Sequence, residues 1–384
     1  MKPFIRGILL LGVLSGCLCT ACSGDTQTSE TAANSTSIAA TIIESAVSTP
    51  AIEPTSTPLP RAASPLGEIT PTIPTPSATK LPTNTPVTEP SPTSSPTATP
   101  CPPDRCVYPG QFFLERPIPE TGNTAVDVTY RFGSTQAGKR DPHHGVEFLN
   151  GFGTPVLAAG NGTVVVAGTD IEPISEPGAW PLEYYGPYSN FYGNLVVVEH
   201  QVPQEIRNLI PDYAPVVYTL YGHLSEILVE EGQQVQTGQE IGKIGVTGVS
   251  IGSHLHFEVR EGQNKYAHSR NPEMWLASHQ GEDGSLNGGF AGRVIDPYGD
   301  NVPVSNIVLE YLPQGSDGGT ESEFYLLSYE EQDLIDQPPF RESFAIGDIP
   351  PGKYRISFPL YGRQEFLIEV LPGELTLLTF KIEG

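Results

Sequence analysis

Between Ser23 and Pro100 the chain is dominated by Thr, Ser and Pro and carries no aromatic side chain. Such a segment cannot bury enough apolar surface to offset the entropy of ordering it. Folding is therefore confined to the residues that follow. Runs such as Thr72-Ile73-Pro74-Thr75-Pro76 favour polyproline II, in which roughly 75 residues would reach about 230 Å at about 3.1 Å each, and several-fold less as a coil. Residues 23–106 read as a disordered Pro/Thr/Ser-rich linker, long enough to carry a folded part away from a membrane surface.

Ahead of the linker, Lys2 and Arg6 precede an apolar run, Ile8 to Leu14, too short to span a bilayer as a mature helix. Residues 1–22 thus read as an export signal and anchor region. Leu14-Ser15-Gly16-Cys17 resembles a bacterial lipobox, which implies acylation of Cys17; Cys22, after Thr20-Ala21, is a second candidate. The expectation is a protein lipid-anchored on the extracellular side of the cell membrane, in the cell envelope. Cys101 and Cys106 would then sit in an oxidising compartment and could close a small disulfide loop. With 44 Asp and Glu against 20 Lys and Arg, the formal net charge is -24. No Lys/Arg cluster offsets it, which argues against a nucleic-acid partner.

After Cys106 the composition changes to short β-rich runs separated by Gly, Pro and Asn, so the fold class is mainly β. Val156-Leu157-Ala158-Ala159, Gly162 to Ala167, Asn194 to Glu199 and Val216 to Tyr221 read as strands of a compact antiparallel system over residues 107–282. The only helical signal is a turn near Glu205 to Leu209. Two insertions interrupt the strands, Thr169 to Tyr192 and Gln201 to Pro215. The first carries Trp180, Tyr184, Tyr185, Tyr188, Phe191 and Tyr192, which would either wall a binding groove or cover a sheet edge.

The chemistry lies in the histidines. All eight fall between residues 143 and 279. His254-Leu255-His256-Phe257-Glu258-Val259 alternates as a half-buried strand does, projecting His254 and His256 from one face and Leu255 and Phe257 from the other. Alone, two histidines at this spacing are weak evidence for a metal. They are joined by His143-His144-Gly145-Val146-Glu147, an imidazole and a carboxylate four residues apart, and by Tyr221-Gly222-His223-Leu224 at the end of another apolar strand.

Together these segments resemble the LytM-type, or M23, family of zinc endopeptidases, whose pattern is H-x-G-x-D, then Y-x-H-L, then H-L-H-F-E. Further matches are Tyr130-Arg131-Phe132-Gly133, Gly153-Thr154-Pro155 with Val156 to Ala159, and Gly245-Val246-Thr247-Gly248. The resemblance covers about residues 110 to 280. It implies zinc held by His143, Glu147 and His256, with His223 and His254 as catalytic histidines. Three protein ligands leave a fourth position for water, whose pKa falls towards 7, while the flanking imidazoles orient the water, steady an oxyanion or protonate a leaving amine. The implied substrate is a peptide bond of peptidoglycan, in a stem peptide or a cross-bridge. His144 occupies a variable place in the pattern, and His200, His268 and His279 match none of it.

One departure stands out: the family has Asp where this chain has Glu147. The extra methylene moves the carboxylate by about 1.5 Å unless the backbone adjusts. The alternative is therefore a degenerate, non-catalytic LytM-type module that binds wall or activates a partner hydrolase. A separate likeness, of Val229 to Gly242 to the hairpins of lipoyl and biotinyl carrier domains, fails on chemistry because Lys243 lies in a strand and not at a turn. There Gly232, Gly238 and Gly242 are expected to supply turn conformations. Residues 287–384 offer further short strands, including Ala291 to Asp296, Ile307 to Tyr311, Tyr354 to Phe358 and Glu365 to Val370. Phe344 to Tyr354 resembles carboxypeptidase regulatory-like and CnaB-type modules, implying a small β-sandwich with an accessory role.

Overall fold

The structure is a computed structural model that describes residues 105–109, 112–209, 213–312, 322–326, 328–329, 334 and 340–382. The signal and anchor region with Cys17 and Cys22, the linker up to residue 104, and Cys101 lie outside the described residues. No helix among the described residues is long and apolar enough to cross a membrane.

The chain is mainly β, as its alternating runs lead one to expect. After β1 (Arg105–Pro109) come β2 (Val146–Phe148), β3 (Pro155–Leu157), β4 (Gly162–Thr169) and β5 (Asn194–Gln201). The short helix α1 (Gln204–Leu209) occupies the place of the expected turn. β6 (Val216–Gly222), β7 (Leu224–Ile227), β8 (Gln234–Val235), β9 (Glu240–Ile244), β10 (Leu255–Glu261) and β11 (Ser269–Arg270) follow. A seven-stranded sheet runs β11-β10-β6-β5-β4-β8, with β2 also on β10, and β3-β9-β7 form a second sheet.

Continuous valine runs reflect a sheet covered on both faces. In β5, Val196 and Val198 enter the main core while Leu195 and Val197 join Tyr192 and Leu220 on the other side. A bulge in β4 between Val164 and Val166 switches their parity, so Val164 joins the first cluster and Val166 the second. Every residue of β10 is buried. Leu255, Phe257 and Val259 fill the core. The opposite face buries His256, Glu258 and Arg260.

The segment from Val229 to Gly242 is not a hairpin. β8 pairs with β4, whereas β9 pairs with β3 and β7. Gly232 and Gly238 do adopt positive φ, 85° and 78°. Gly242 does not act as a turn: it lies in β9, where a Cβ would come within 2.8 Å of the Glu226 carbonyl oxygen.

Beyond the second short 3-10 turn, Pro272–Met274, the chain forms β12 (Gly288–Ile295), β13 (Ile307–Leu312), β14 (Glu323–Leu326), β15 (Phe344–Ile349), β16 (Gly352–Pro359), β17 (Arg363–Val370) and β18 (Glu374–Lys381). They make two four-stranded sheets, β1-β18-β12-β15 and β14-β13-β16-β17. One cluster with Phe290, Phe344 and Phe380 from the first sheet and Leu309, Tyr354 and Ile356 from the second fills the space between them. Ala291, Ala345, Leu375 and Leu377 instead join Leu114, Met274 and Trp275 in the core of the preceding sheets. The apolar interior is therefore continuous from one part to the other. β1 lies ahead of the histidine-bearing sheets in sequence yet adds to the edge of a C-terminal sheet through β18.

Candidate active site and metal centre

Antiparallel pairing sets the site. Glu147 on β2 lies opposite His256 on β10, and Gly222 on β6 lies opposite His256 on its other side. Gly145 enters without a side chain for a steric reason: a Cβ there would meet the Phe257 carbonyl oxygen at 2.5 Å and the His256 ring at 2.9 Å. His223 follows β6 with φ of 62°, a left-handed conformation uncommon outside glycine. Its ring centroid lies 4.9 Å from that of His254 and 5.7 Å from that of His256.

His143, Glu147 and His256 converge, all buried, with one donor atom from each within 4.8 Å of the others. Oε1 of Glu147 stands 3.0 Å from Nε2 of His143 and 3.1 Å from Nδ1 of His256, and those two nitrogens are 3.3 Å apart. Ligand atoms bound tetrahedrally at about 2.0–2.1 Å lie about 3.3 Å from one another. The observed spacings fit that requirement closely. Oε2 of Glu147 is buried without a hydrogen bond; Nε2 of His254 lies 3.1 Å away but is not aligned to donate to it. A buried carboxylate with an oxygen left over is what a cation would complete.

The neighbours choose the ring nitrogens. His143 Nδ1 donates to the Tyr130 carbonyl at 2.9 Å, which leaves Nε2 facing the cluster. His256 Nε2 donates to Glu258 Oε1 at 3.0 Å, which leaves Nδ1 facing it. His254 Nδ1 donates to the Gly252 carbonyl at 3.1 Å and His223 Nδ1 to that of Thr247 at 2.8 Å. Such outer contacts fix tautomer and ring orientation.

Electrostatics divide the two imidazoles nearest the carboxylate. Burial lowers the pKa of His143, outweighing its contact with Glu147. Burial opposes charge on His256 as well, but Glu147 and Glu258 outweigh it and lift the ring to about 9. His256 is hydrogen-bonded to both carboxylates, whereas Glu258 reaches His143 only through space. Burial also opposes ionisation of Glu147, yet His256 and His143 hold its carboxyl well below the usual range. Burial lowers His223 to about 4, so it is neutral at pH 7.

The cluster opens on a groove of about 430 Å³ whose walls include Tyr130, Arg140, His144, Tyr188, Phe191 and Ile251. The aromatic insertion walls the groove and covers a face of the central strands, not a sheet edge. Tyr188 and Phe191 face the groove, while Tyr192 and Tyr185 pack against the sheet and Trp180 projects with 88% of its surface exposed. A larger depression, about 660 Å³ beneath Trp180 and beside Tyr218, contains none of the histidines.

Sequence reasoning missed the layer behind the cluster. Glu258 is fully buried and accepts from His256, from the Tyr192 hydroxyl and, at 2.8 Å, from Arg260 Nε. Arg260 also donates to the Tyr185 carbonyl at 2.7 Å and to the Tyr192 hydroxyl at 3.0 Å. Extending the alternation of His254 and His256 by two steps each would have placed Glu258 and Arg260 on the same face. His144 is a groove residue that the pattern left open: it stacks on Tyr266 with centroids 3.7 Å apart and bonds Ser269 Oγ at 2.7 Å. His200 bonds the Asn161 carbonyl and Thr219, His268 the Glu261 carbonyl, and His279 pairs with Asp348, all apart from the cluster.

The chain is similar to known proteins over part of its length. Peptidoglycan DD-endopeptidase ShyB of Vibrio cholerae is 35% identical over 122 residues, 32% of this chain and 21% of the relative. The Lipoprotein NlpD/LppB homolog of Pseudomonas aeruginosa is 34% identical over 116 residues, 30% of this chain and 28% of the relative. A solved structure described as a zinc containing peptidase from Vibrio cholerae shares 28% identity with a TM-score of 0.27, covering 40% of this chain and 37% of that one. The matched stretch thus spans about a fifth to a quarter of the curated relatives' length. The profile of Peptidase family M23 matches residues 141–268, the stretch that carries His143, Glu147, His223, His254 and His256, so this part of the chain is a Peptidase M23 domain.

Proposed function

We propose that the protein is an exported zinc metalloendopeptidase that hydrolyses peptide bonds of peptidoglycan, in stem peptides or cross-bridges, during cell-wall remodelling. The observation that carries the reading is the buried Glu147 carboxylate, with one oxygen shared by two imidazoles and the other lacking a hydrogen bond. His143 Nε2, Glu147 Oε1 and His256 Nδ1 are the metal ligands in this reading. Two nitrogens and one oxygen beside an open groove suit zinc. When bound, zinc supplies Lewis acidity towards a carbonyl and makes water acidic enough to ionise near neutral pH.

The chain's own residues do the rest. His223 and His254, fixed through their Nδ1 atoms, present Nε2 towards the reacting groups. They orient the attacking water, steady the oxyanion or pass a proton to the leaving amine. The groove walls hold the peptide and limit water.

The assigned organisation is a lipoprotein-type signal and anchor in residues 1–22 with lipid on Cys17 or Cys22, a linker over 23–106, the peptidase over 107–282 and a CnaB-like accessory sandwich over 287–384. Relatives named as a peptidoglycan endopeptidase and as a murein hydrolase activator frame the two outcomes of the test. Purified protein should carry about one zinc per chain and release soluble peptides from purified peptidoglycan. Zinc near zero, or wall binding without peptide release, would instead establish the degenerate module.

A further inference from the structure

We infer that the C-terminal β segment is part of the apparatus that positions His143, with Tyr329 as its positioning residue and Glu273, in the preceding 3-10 turn, as the link from Arg131 to β15. The inference rests on the zinc reading above.

His143 does not sit in a strand; the stretch from Tyr130 to Ser134 fixes it. Tyr130 takes the His143 Nδ1 proton on its carbonyl at 2.9 Å and stacks its ring on the imidazole, with centroids 3.9 Å apart and planes 12° from parallel. Gly133 N donates to the His143 carbonyl at 2.8 Å, and His143 N donates to the Ser134 carbonyl at 3.1 Å. The direction of His143 Nε2 therefore depends on where these five residues are held.

The C-terminal segment holds them. Arg131 pairs with Glu273, whose Oε2 also accepts from Gly347 N on β15 at 3.1 Å. Phe132, only 4% exposed, packs edge-on against Tyr329 with centroids 5.1 Å apart, in a cluster completed by Leu334. Among the described residues, its partners in that cluster, Tyr329 and Leu334, come from the stretch between β14 and β15. Gly133 has φ of 80°, and a Cβ there would strike the Tyr329 ring at 2.7 Å. Tyr329 is itself anchored: Asn271 Nδ2 donates to its hydroxyl at 3.1 Å and its backbone N donates to the Ser343 carbonyl at 2.7 Å. Contact is equally close at Gly347, where a Cβ would come within 2.3 Å of the Glu273 carbonyl oxygen.

Successive residues of one short segment thus face opposite ways in function. Tyr130 addresses His143, while Arg131, Phe132 and Gly133 are braced by Glu273 and Tyr329. Removing the brace frees the Tyr130 stack and with it a metal ligand. Loss of an outer contact of this kind typically costs about 10- to 100-fold in metal affinity.

The test uses the full chain and measures zinc dissociation by chelator competition. Tyr329→Ala should weaken zinc binding by about tenfold or more. Tyr329→Phe, which keeps the ring against Phe132, should restore most of it. Tyr325→Ala, an exposed change on β14, should leave affinity unaltered. If Tyr329→Ala fails to fold, Phe132→Leu removes the ring contact with little loss of volume and should weaken zinc several-fold. Folded Tyr329→Ala or Phe132→Leu binding zinc as wild type does overturns the inference while leaving the zinc reading intact. Wild-type protein that binds no zinc overturns the zinc reading, and the inference with it.

Discussion

Glu258 Oε1 stands 3.0 Å from Nε2 of His256, and Glu147 Oε1 stands 3.1 Å from Nδ1 of the same ring. One imidazole is thus held between two carboxylates with different tasks. Glu258, paired with Arg260, sets the ring's tautomer, and Glu147 shares the cluster with it. Replacing Glu258 by Gln keeps the shape but removes the charge that Arg260 and His256 face. Zinc affinity should fall by about 10- to 100-fold. Stability should fall too, by about 3 kcal/mol or more, because Arg260 is left buried with only neutral partners. Chelator competition and denaturant unfolding of Glu258→Gln would check the two effects separately.

The same geometry gives a pH signature in metal-free protein. His256 is lifted from about 6.5 to about 9, so its contribution to stability is fully present below about 6.5 and is lost as pH rises through about 9. Burial raises the Glu258 pKa, but Arg260 and His256 outweigh it and lower it to about 2. Its contribution is present above about 4.5 and is lost as pH falls through about 2. Metal-free protein should therefore lose stability between pH 7 and 9. Zinc-loaded protein should not show that loss, because His256 has already given up its Nδ1 proton to bind. Denaturant midpoints of both forms at pH 6.5 and 9.5 measure the difference, and zinc uptake at pH 7 should release about one proton.

The histidine cluster was legible in the sequence because strand alternation and motif order place each side chain on a known face. His254-Leu255-His256-Phe257 behaves as a period of two requires, and the pairing of β2 with β10 then brings in Glu147. What sequence did not reveal depends on tertiary partners. Local patterning cannot show that β8 joins β4 and leaves β9 to a different sheet, since those partners lie far away in the sequence. β14 went unrecognised for another reason. Glu323-Phe324-Tyr325-Leu326 is rich in large apolar side chains, yet only Leu326 is buried, so its pattern does not show the alternation of a half-buried strand. The insertion of β1 beside β18 is likewise a long-range pairing, one that no local pattern near Arg105 announces.

Glu147 distinguishes this site from its resemblance to the family pattern, and its role can be separated from its length. Among the described residues Glu147 is the one carboxylate within hydrogen-bond distance of both His143 and His256, so Glu147→Ala should lose zinc. Glu147→Asp should retain zinc, with hydrolysis equal to or above wild type, because the backbone at β2 needs to adjust by only about 1.5 Å. Metal content of the two variants, measured after identical purification with zinc present, decides the point. Equal zinc in wild type and Glu147→Ala would remove this residue from the site.

His254 separates catalysis from metal holding. Its Nε2 lies 3.1 Å from Glu147 Oε2, not from the oxygen that faces His143 and His256, and its Nδ1 donates to the Gly252 carbonyl. The ring therefore borders the three-donor cluster without completing it, and it lines the groove that would receive the peptide. His254→Ala should retain zinc and wall binding. Hydrolysis should nevertheless fall by about a hundredfold to ten-thousandfold, the usual effect of losing a positioned proton-transfer or oxyanion group. Melting temperature should change little, since no core side chain is removed. Zinc content, thermal melting and peptide release, measured together on His254→Ala and His256→Ala, should therefore separate the two histidines. Zinc lost from both variants would mean that the ligands are wrongly assigned, and wild-type hydrolysis in His254→Ala would remove this histidine from the chemistry.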